Sequence, residues 1–166
     1  MKRCLLALVS ILWSCLALAQ SPTTPTTDVL FATTLTDLNE QPQALAQYQG
    51  KPLIVNFWAR WCGPCRTEIP ELIKLRQQYK AKGLEVLGIA IEDKAEPVRD
   101  FAKAYDMDYT ILLGKDKGLA LMQGLGNTKM GLPFTIAIDR AGKIVTLKMG
   151  ALKGDELVAA AAAALK

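Results

Sequence analysis

Residues 52–65 read PLIVNFWARWCGPC and carry the strongest structural signal in the chain. Its first seven residues are almost continuously apolar, which is typical of a strand that is covered on both faces of a sheet. Two cysteines then stand three positions apart, at Cys62 and Cys65. Pro64, between them, suits the first turn of a helix, and we expect that helix to span residues 63–82. The stretch therefore predicts a buried strand that leads a cysteine pair to the start of a helix.

The cysteine pair predicts thiol chemistry. The free N–H groups and the positive dipole end at a helix start favour a thiolate at Cys62, and the thiolate is the nucleophile of disulfide exchange. Cys65, one turn further on, is close enough to attack a mixed disulfide and release the substrate. A zinc site would need about four ligands, and the chain has no histidine. A structural bridge across so short a loop would add little stability. We predict dithiol–disulfide exchange with no metal and no small-molecule cofactor.

The N-terminal residues have the pattern of an export signal. Lys2 and Arg3 precede a run over residues 5–18 that is apolar except for two serines, and Ala17 and Ala19 place small residues at the A-x-A spacing of a cleavage site. This pattern is typical of a secretory signal peptide, and the run is shorter than the ~20 residues that a membrane-spanning helix needs. We predict a signal peptide over residues 1–19 and a periplasmic or cell-envelope protein. An uncleaved anchor, or a lipid on Cys15, is the alternative and would supply the membrane contact.

Composition indicates a globular chain with one domain. Of the 166 residues, 51% are hydrophobic and 22% are charged, which fits a single ordinary core. Residues 20–28 are rich in proline and threonine, so we predict a flexible linker there and a domain over residues 29–166. Loss of the signal would lower the formal charge from +4 to +2, because two basic residues leave with it. Such a small surplus, without a basic cluster, argues against nucleic acid as a partner.

Hydrophobic patterns and turn residues predict alternating strands and helices around the cysteine pair. The expected strands cover residues 29–36, 42–46, 84–91, 109–113, 134–139 and 143–149, and the further helices cover residues 97–107 and 155–165. Residues 115–131 suggest a short helix followed by a glycine-rich loop. In the last strand, Val145, Leu147 and Met149 alternate with polar residues, so one face should be buried. The order predicts an α/β fold with a central mixed sheet flanked by helices.

Several motifs carry a family resemblance. Residues 55–66, VNFWARWCGPCR, resemble the active-site stretch of thioredoxins. Glu68 and Pro70 narrow the resemblance to the TlpA/ResA branch of exported thiol–disulfide oxidoreductases. Residues 131–135, GLPFT, resemble the cis-proline loop of the family, and residues 84–107 resemble the insertion of that branch. The resemblance implies a thioredoxin-like sandwich with a TlpA-type insertion.

The resemblance also implies how a substrate is held. Pro133 is expected to follow a cis peptide bond, with an ordinary proline at the start of a strand as the alternative. Trp61 beside the cysteines, together with Leu132 and Phe134, is expected to form a groove for an extended substrate chain. Gly63, in the turn between the cysteines, resembles the residue that thioredoxins have there.

One position departs from ordinary thioredoxins. Asn56 stands where thioredoxins have a buried aspartate, and an amide cannot take a proton from Cys65 during the second attack. In the TlpA/ResA branch an acid of the insertion lies near the cysteines, and Asp93 and Glu92 are the candidates here. Our hypothesis is that one of them is the proton acceptor; a solvated pair of acids at a strand end is the alternative.

The sequence thus predicts an exported enzyme that reduces protein disulfides. The Gly63-Pro64 dipeptide resembles that of thioredoxin, whose potential is about −270 mV, against about −120 mV for a strong oxidant. A reductase in an oxidising compartment needs continuous re-reduction, so the resemblance implies a membrane thiol reductase as electron donor. Apocytochrome c cysteines are targets of related proteins. The alternatives are an oxidase or isomerase with the same residues, and a binding module that uses the fold without turnover.

Overall fold

The computed structural model describes residues 25–166. In chain order its main elements are α1 (Asp28–Phe31), β1 (Thr34–Asp37), β2 (Pro42–Ala44), β3 (Leu53–Trp58), α2 (Gly63–Tyr79), β4 (Glu85–Ala90), α3 (Ala95–Ala104), β5 (Thr110–Leu113), α4 (Lys115–Gly124), β6 (Phe134–Ile138), β7 (Ile144–Met149) and α5 (Asp155–Ala164). Short 3₁₀ helices lie at Leu45–Tyr48 and Lys80–Lys82.

β3, the strand predicted from the apolar run, lies inside a mixed seven-stranded sheet. The strand order is β2-β1-β5-β4-β3-β6-β7. The pairs β3–β4 and β4–β5 are parallel, and the other neighbouring strands are antiparallel. All six residues of β3 are buried, because packed helices cover both faces of the sheet. The predicted α/β fold with a central mixed sheet is confirmed.

Alternate residues of β3 belong to two separate cores. Ile54 and Trp58 pack with residues of α2, α3 and α5 on one face. Leu53, Val55 and Phe57 pack on the opposite face with residues of α1 and α4. This division follows from the two-residue period of a strand. Because β3 is held from both faces, the turn after Trp58 leaves the sheet at a fixed position.

The predicted helix after the cysteines is present as α2. It continues through Pro70, and the kink expected at that residue stays a prediction. The 3₁₀ turn that follows ends at Gly83, whose φ of +86° suits glycine. β4 and α3 lie in the segment that resembles the insertion, and β4 is hydrogen bonded between β3 and β5. Among residues 25–166, no helix combines the length and apolarity needed to cross a membrane.

The structure corrects the start of the domain. The strand expected over residues 29–36 is wrong in its first half, because α1 occupies that position and β1 begins only at Thr34. The linker expected over residues 20–28 also extends too far. Thr27 is buried, and its hydroxyl donates to the carbonyl oxygen of Gly142 at 2.6 Å. Thr27 therefore belongs to the fold, while the predicted signal peptide lies outside the described residues.

The structure also corrects the last strand. A register irregularity at Ala137/Ile138 interrupts the pairing of β6 with β7. Val145 packs on the core that contains α2 and α5, whereas Leu147 and Met149 are 39% and 52% exposed. A β-bulge changes which face the following side chains occupy. The single buried face that the alternation predicted is therefore wrong.

Candidate active site

The strand-to-helix junction places Cys62 at the first position of α2. The backbone N–H of Cys62 donates to the carbonyl of Ala59 at 3.1 Å, which closes the turn after β3. Cys62 is the N-cap residue of α2, and its sulfur accepts the backbone N–H of Cys65 at 3.3 Å. An N–H aimed at the sulfur, added to the positive end of the helix dipole, favours the thiolate over the thiol.

The two cysteines differ in exposure. They form a disulfide, and Cys62 is 6% exposed whereas Cys65 is 1% exposed. Gly63 and Pro64 are exposed at the surface between them. The Trp61 side chain, directly before the pair, is 72% exposed. A partner that approaches this surface meets Trp61 and the Cys62 sulfur before it reaches Cys65.

The proline loop lies beside the cysteine turn. The Leu132–Pro133 peptide bond is cis, as predicted. Phe57 of β3 pairs with Phe134 of β6, and continuing this antiparallel register places Pro133 opposite Trp58, the last residue of β3. Leu132 is half-buried, so part of it remains at this surface.

Phe134 has a different place from the one expected. Its side chain is fully buried and stacks on the ring of Phe57 at a centroid distance of 5.5 Å. A substrate at the surface cannot reach it, so its predicted place in the lining of the groove is corrected to the core. Period-two alternation along β6 directs this ring away from the face that carries Thr135.

A carboxyl group is buried behind the cysteine pair. Glu68 is fully buried and accepts hydrogen bonds from Asn56 Nδ2 at 3.0 Å and from the Leu152 N–H at 2.9 Å. The hydroxyl of Thr135 donates to the same carboxyl at 3.4 Å and accepts from Asn56 Nδ2 at 2.9 Å. Residues three apart share a helix face. Glu68 therefore lies one turn from Cys65 on the buried side of α2.

The pKa of Glu68 reflects this position. Burial raises the pKa above the usual value of a glutamate, and the hydrogen bonds from Leu152, Asn56 and Thr135 oppose part of that shift. A carboxyl group with a raised pKa can exchange a proton with a neighbouring acid closer to neutral pH than an exposed one can.

Comparison with known proteins decides the family. The family model described as Redoxin matches residues 22–165. The chain belongs to the redoxin family. The redoxin is 32% identical to thiol-disulfide oxidoreductase ResA of Bacillus cereus over 124 residues. The aligned region covers 74% of this chain and 69% of the relative. It is a ResA-like protein-disulfide oxidoreductase.

Solved structures confirm the thioredoxin fold of this redoxin. A thiol:disulfide interchange protein of the thioredoxin family from Chlorobium tepidum superposes with a TM-score of 0.74 at 24% identity, covering 89% of this chain and 100% of that chain. A secreted Mycobacterium tuberculosis disulfide oxidoreductase, described as homologous to DsbE, gives a TM-score of 0.68 at 25% identity. That match covers 82% of this chain and 98% of the neighbour.

The two acids selected from the sequence have other surroundings in the redoxin. Glu92 accepts the backbone N–H of Arg60 at 2.7 Å and the Arg60 Nε at 2.6 Å. Asp93 is exposed. Within residues 25–166, neither acid hydrogen bonds to a cysteine or to Glu68. No group of three or more potential metal ligands occurs in that part of the chain.

Glu68 is the site residue that sequence reasoning missed, since Glu68 contributed only to the family resemblance. The sequence does contain a signal that Glu68 is buried beside Cys65. Glu68 lies three positions after Cys65, on the same side of the helix as the buried residues Ile69 and Leu72. An acid within a buried helical stripe needs partners, and such groups cluster at functional sites.

The raised pKa of Glu68 predicts how stability depends on pH. The folded state holds this proton more tightly than the unfolded chain, whose glutamates titrate near pH ~4.3. Its stabilising contribution is therefore complete below that pH and is lost as the pH rises through the raised pKa. In urea unfolding of the oxidised protein between pH 4 and 8, the free energy of unfolding of the wild type should therefore fall relative to that of Glu68→Gln as the pH rises.

The informative quantity is the change of this difference with pH, because altered hydrogen bonds in Glu68→Gln add a constant offset. Glu71→Gln, on the same helix at an ion pair with Lys74, is the matched control and should show a much smaller change. A difference between wild type and Glu68→Gln that stays constant from pH 4 to 8 contradicts the prediction.

Proposed function

We propose that this redoxin is exported and reduces protein disulfides by cycling Cys62 and Cys65 between dithiol and disulfide. The observation that carries the proposal is the position of Cys62. Its sulfur lies at the N-terminus of α2 with the Cys65 N–H directed at it, next to the exposed ring of Trp61. This arrangement supports a reactive outer thiolate and a shielded inner thiol.

The first step transfers one substrate sulfur to Cys62. The Cys62 thiolate attacks the nearer sulfur of the substrate disulfide, forming a mixed disulfide, and the other substrate sulfur leaves as a thiolate. The free N–H groups at the start of α2 stabilise the negative charge of the Cys62 thiolate before it attacks. The cis Leu132–Pro133 segment offers backbone groups beside the turn for an extended substrate chain.

The second step releases the substrate. The Cys65 sulfur, after losing its proton, attacks Cys62, the substrate leaves as its second thiolate, and the enzyme is left with the Cys62–Cys65 disulfide. The substrate has gained two electrons and the enzyme has lost two. We assign the Cys65 proton to the Glu68 carboxylate, in place of Glu92, which is engaged by Arg60, and of exposed Asp93.

Export and re-reduction complete the proposal. The basic start and short apolar run of residues 1–19 support a secretory signal, and the Mycobacterium tuberculosis neighbour is described as secreted. The oxidised enzyme needs an external dithiol to return two electrons, and we propose a membrane thiol reductase for that role. Reduction of apocytochrome c cysteines or of similar exported thiol pairs is the proposed use.

The reduction potential tests the direction of electron flow. Because the Gly63-Pro64 dipeptide is that of thioredoxin, equilibration with a thiol–disulfide buffer should give a potential near about −270 mV. A potential near about −120 mV would assign the protein to the oxidases instead. Cys65→Ser is the control, since it cannot form the intramolecular disulfide.

Mass analysis of the exported protein should find a mature chain that begins at Gln20.

A further inference from the structure

A groove lies directly against the cysteine turn. It has a volume of about 330 Å³ and is lined by Arg60, Trp61, Arg66, Phe101 and Tyr105. Three of these residues, at positions 60, 61 and 66, lie beside the cysteine pair in sequence, and the other two come from α3 and its C-terminal end. The groove thus combines aromatic walls with two guanidinium groups and no carboxylate, at the surface where a substrate must approach Cys62.

Aromatic contacts hold Arg66 in place beside the cysteines. Arg66 Nε donates to the Tyr105 hydroxyl at 2.9 Å, and its guanidinium carbon is 6.0 Å from the centre of that ring. The Tyr105 ring stacks on Phe101 at 4.3 Å. Phe101 in turn contacts the buried ring of Trp58 at 5.3 Å. A side chain restrained in this way loses less entropy on binding than a free one.

The two arginines of the groove differ in charge balance. The Arg60 charge is neutralised by Glu92, since their Nε and Oε2 atoms are 2.6 Å apart. Arg66 has no ion pair among residues 25–166. Only its Nε–H is used by Tyr105 in that part of the chain, so the N–H groups on both Nη atoms remain. That fork matches the two oxygens of a carboxylate.

We propose that Arg66, supported by Tyr105, binds a carboxylate of the substrate polypeptide close to its reactive cysteine. The substrate class is therefore a protein disulfide with an aspartate or glutamate beside it. This inference rests on the proposed function, because it concerns how the same site selects its target. Arg66 acts here as a binding residue and takes no part in the transfer of electrons.

The composition of the groove favours a polypeptide carboxylate over a nucleic acid. Nucleic-acid binding relies on several cations that track successive phosphates, whereas this groove offers one unneutralised guanidinium. The exposed Trp61 ring and the rings of Phe101 and Tyr105 supply apolar contact for the rest of a peptide. A peptide with one acidic side chain and neighbouring apolar side chains can bind both the guanidinium and the aromatic rings.

The test compares disulfide peptides that differ only in charge. Two synthetic peptides carry the same intramolecular disulfide, with glutamate on both sides of the cysteines in one and glutamine in the other. Single-turnover rates of their reduction by the dithiol enzyme give a Glu/Gln rate ratio. We expect about fivefold or more for the wild type, as for one well-oriented ion pair. The ratio should fall towards one as salt screens the charges.

Variants identify the residue responsible. Arg66→Gln should bring the ratio close to one, Arg66→Lys should retain part of it, and Tyr105→Phe should lower it because the guanidinium loses its support. Lys74→Gln removes a cation from the same helix, where Lys74 pairs with Glu71, and should leave the ratio unchanged. Using a ratio cancels any effect of Arg66 on the reactivity of Cys62 itself.

The outcomes separate this inference from the function on which it rests. Equal rates for both peptides, or a preference that survives Arg66→Gln, overturn the carboxylate site while disulfide reduction stands. Faster reduction of oxidised glutathione than of the glutamate peptide, lost in Arg66→Gln, assigns the site to a small disulfide and overturns the protein-substrate claim. If the enzyme reduces neither peptide and also fails to reduce 2,2′-dipyridyl disulfide, which is uncharged, the proposed function fails, and this inference fails with it.

Discussion

Replacing Cys62 with serine is expected to lower the rate of protein-disulfide reduction about a thousandfold or more. The reaction begins with the attack of a thiolate, and a serine hydroxyl is scarcely ionised at neutral pH and is a poor nucleophile towards sulfur. The helix N-terminus that favours a thiolate at position 62 remains in the variant, but it has no thiol to act on. The measurement is single-turnover reduction of a disulfide peptide by the pre-reduced protein.

Cys65→Ser is the matched variant, and it should behave differently. The Cys62 thiolate can still attack, but the second step is absent, so a covalent complex with the substrate should accumulate and be visible by non-reducing electrophoresis and mass analysis. Comparable loss of the first step in both variants would contradict separate roles for the two cysteines. A Cys65→Ser protein that captures no disulfide partner, with an unchanged fold, would support a binding module without turnover.

Replacing Glu68 with glutamine is expected to slow the second step about a hundredfold, as when a general base is removed. The amide cannot accept the Cys65 proton, and the buried position leaves that thiol few other acceptors. Attack by Cys62, which takes place at the surface, should change much less. Rapid mixing of the dithiol enzyme with a labelled peptide disulfide separates the two phases, because the mixed disulfide appears first and decays second.

The pH profile distinguishes proton transfer from a structural role. In the wild type the second step should slow as the pH falls through the raised pKa of Glu68, since a protonated carboxyl cannot accept a proton. Glu68→Gln should lack that limb of the profile. Asp93→Asn, at an exposed acid, is the control and should resemble the wild type. A wild-type profile retained in Glu68→Gln, with an unchanged second step, would rule out the assignment.

The features that follow from local pattern were predictable from the sequence. The apolar run predicts β3, and the proline in the first turn predicts the start of α2. The glycine at position 83 marks the end of the 3₁₀ turn that follows α2. The spacing of Cys62 and Cys65 predicts thiol chemistry, and the structure contains a disulfide between them. The cis bond before Pro133 was implied by the family resemblance of the Gly-Leu-Pro motif and is present.

The features that depend on distant contacts were not predictable in the same way. The hydrogen bonds to Glu68 join it to Asn56, 12 positions away, and to Leu152, 84 positions away. Hydrophobic periodicity along the sequence does not indicate contacts between residues so far apart in the chain. Glu92 and Asp93 were candidates because the TlpA/ResA branch has an acid of the insertion near the cysteines. The ion pair of Glu92 with Arg60 joins residues 32 positions apart, which the sequence does not indicate.

Two errors have the same origin. The segment before β1 has apolar residues that fit a short strand, but the contact of Thr27 with Gly142, 115 positions away, holds it as part of a helical turn against the core. In β7 the alternation of Val145 and Leu147 correctly predicts a strand. The bulge lies in β7 itself, because Ala137 pairs with Thr146 and Ile138 with Ile144, which leaves Val145 as the extra residue and changes the face that the side chains occupy.

The stack from Trp58 through Phe101 to Tyr105 has a further consequence. The sulfur chemistry is encoded in one segment, residues 61–68, while the wall beside it comes from α3 and its end, about 40 positions later. The contacts given above join the two segments through side chains, from Trp58 to Phe101 and from Arg66 to Tyr105. Substitutions in α3 can therefore redirect the enzyme to new targets while its electron transfer stays intact, so descendants of this fold can diversify their clients without rebuilding their reactive centre.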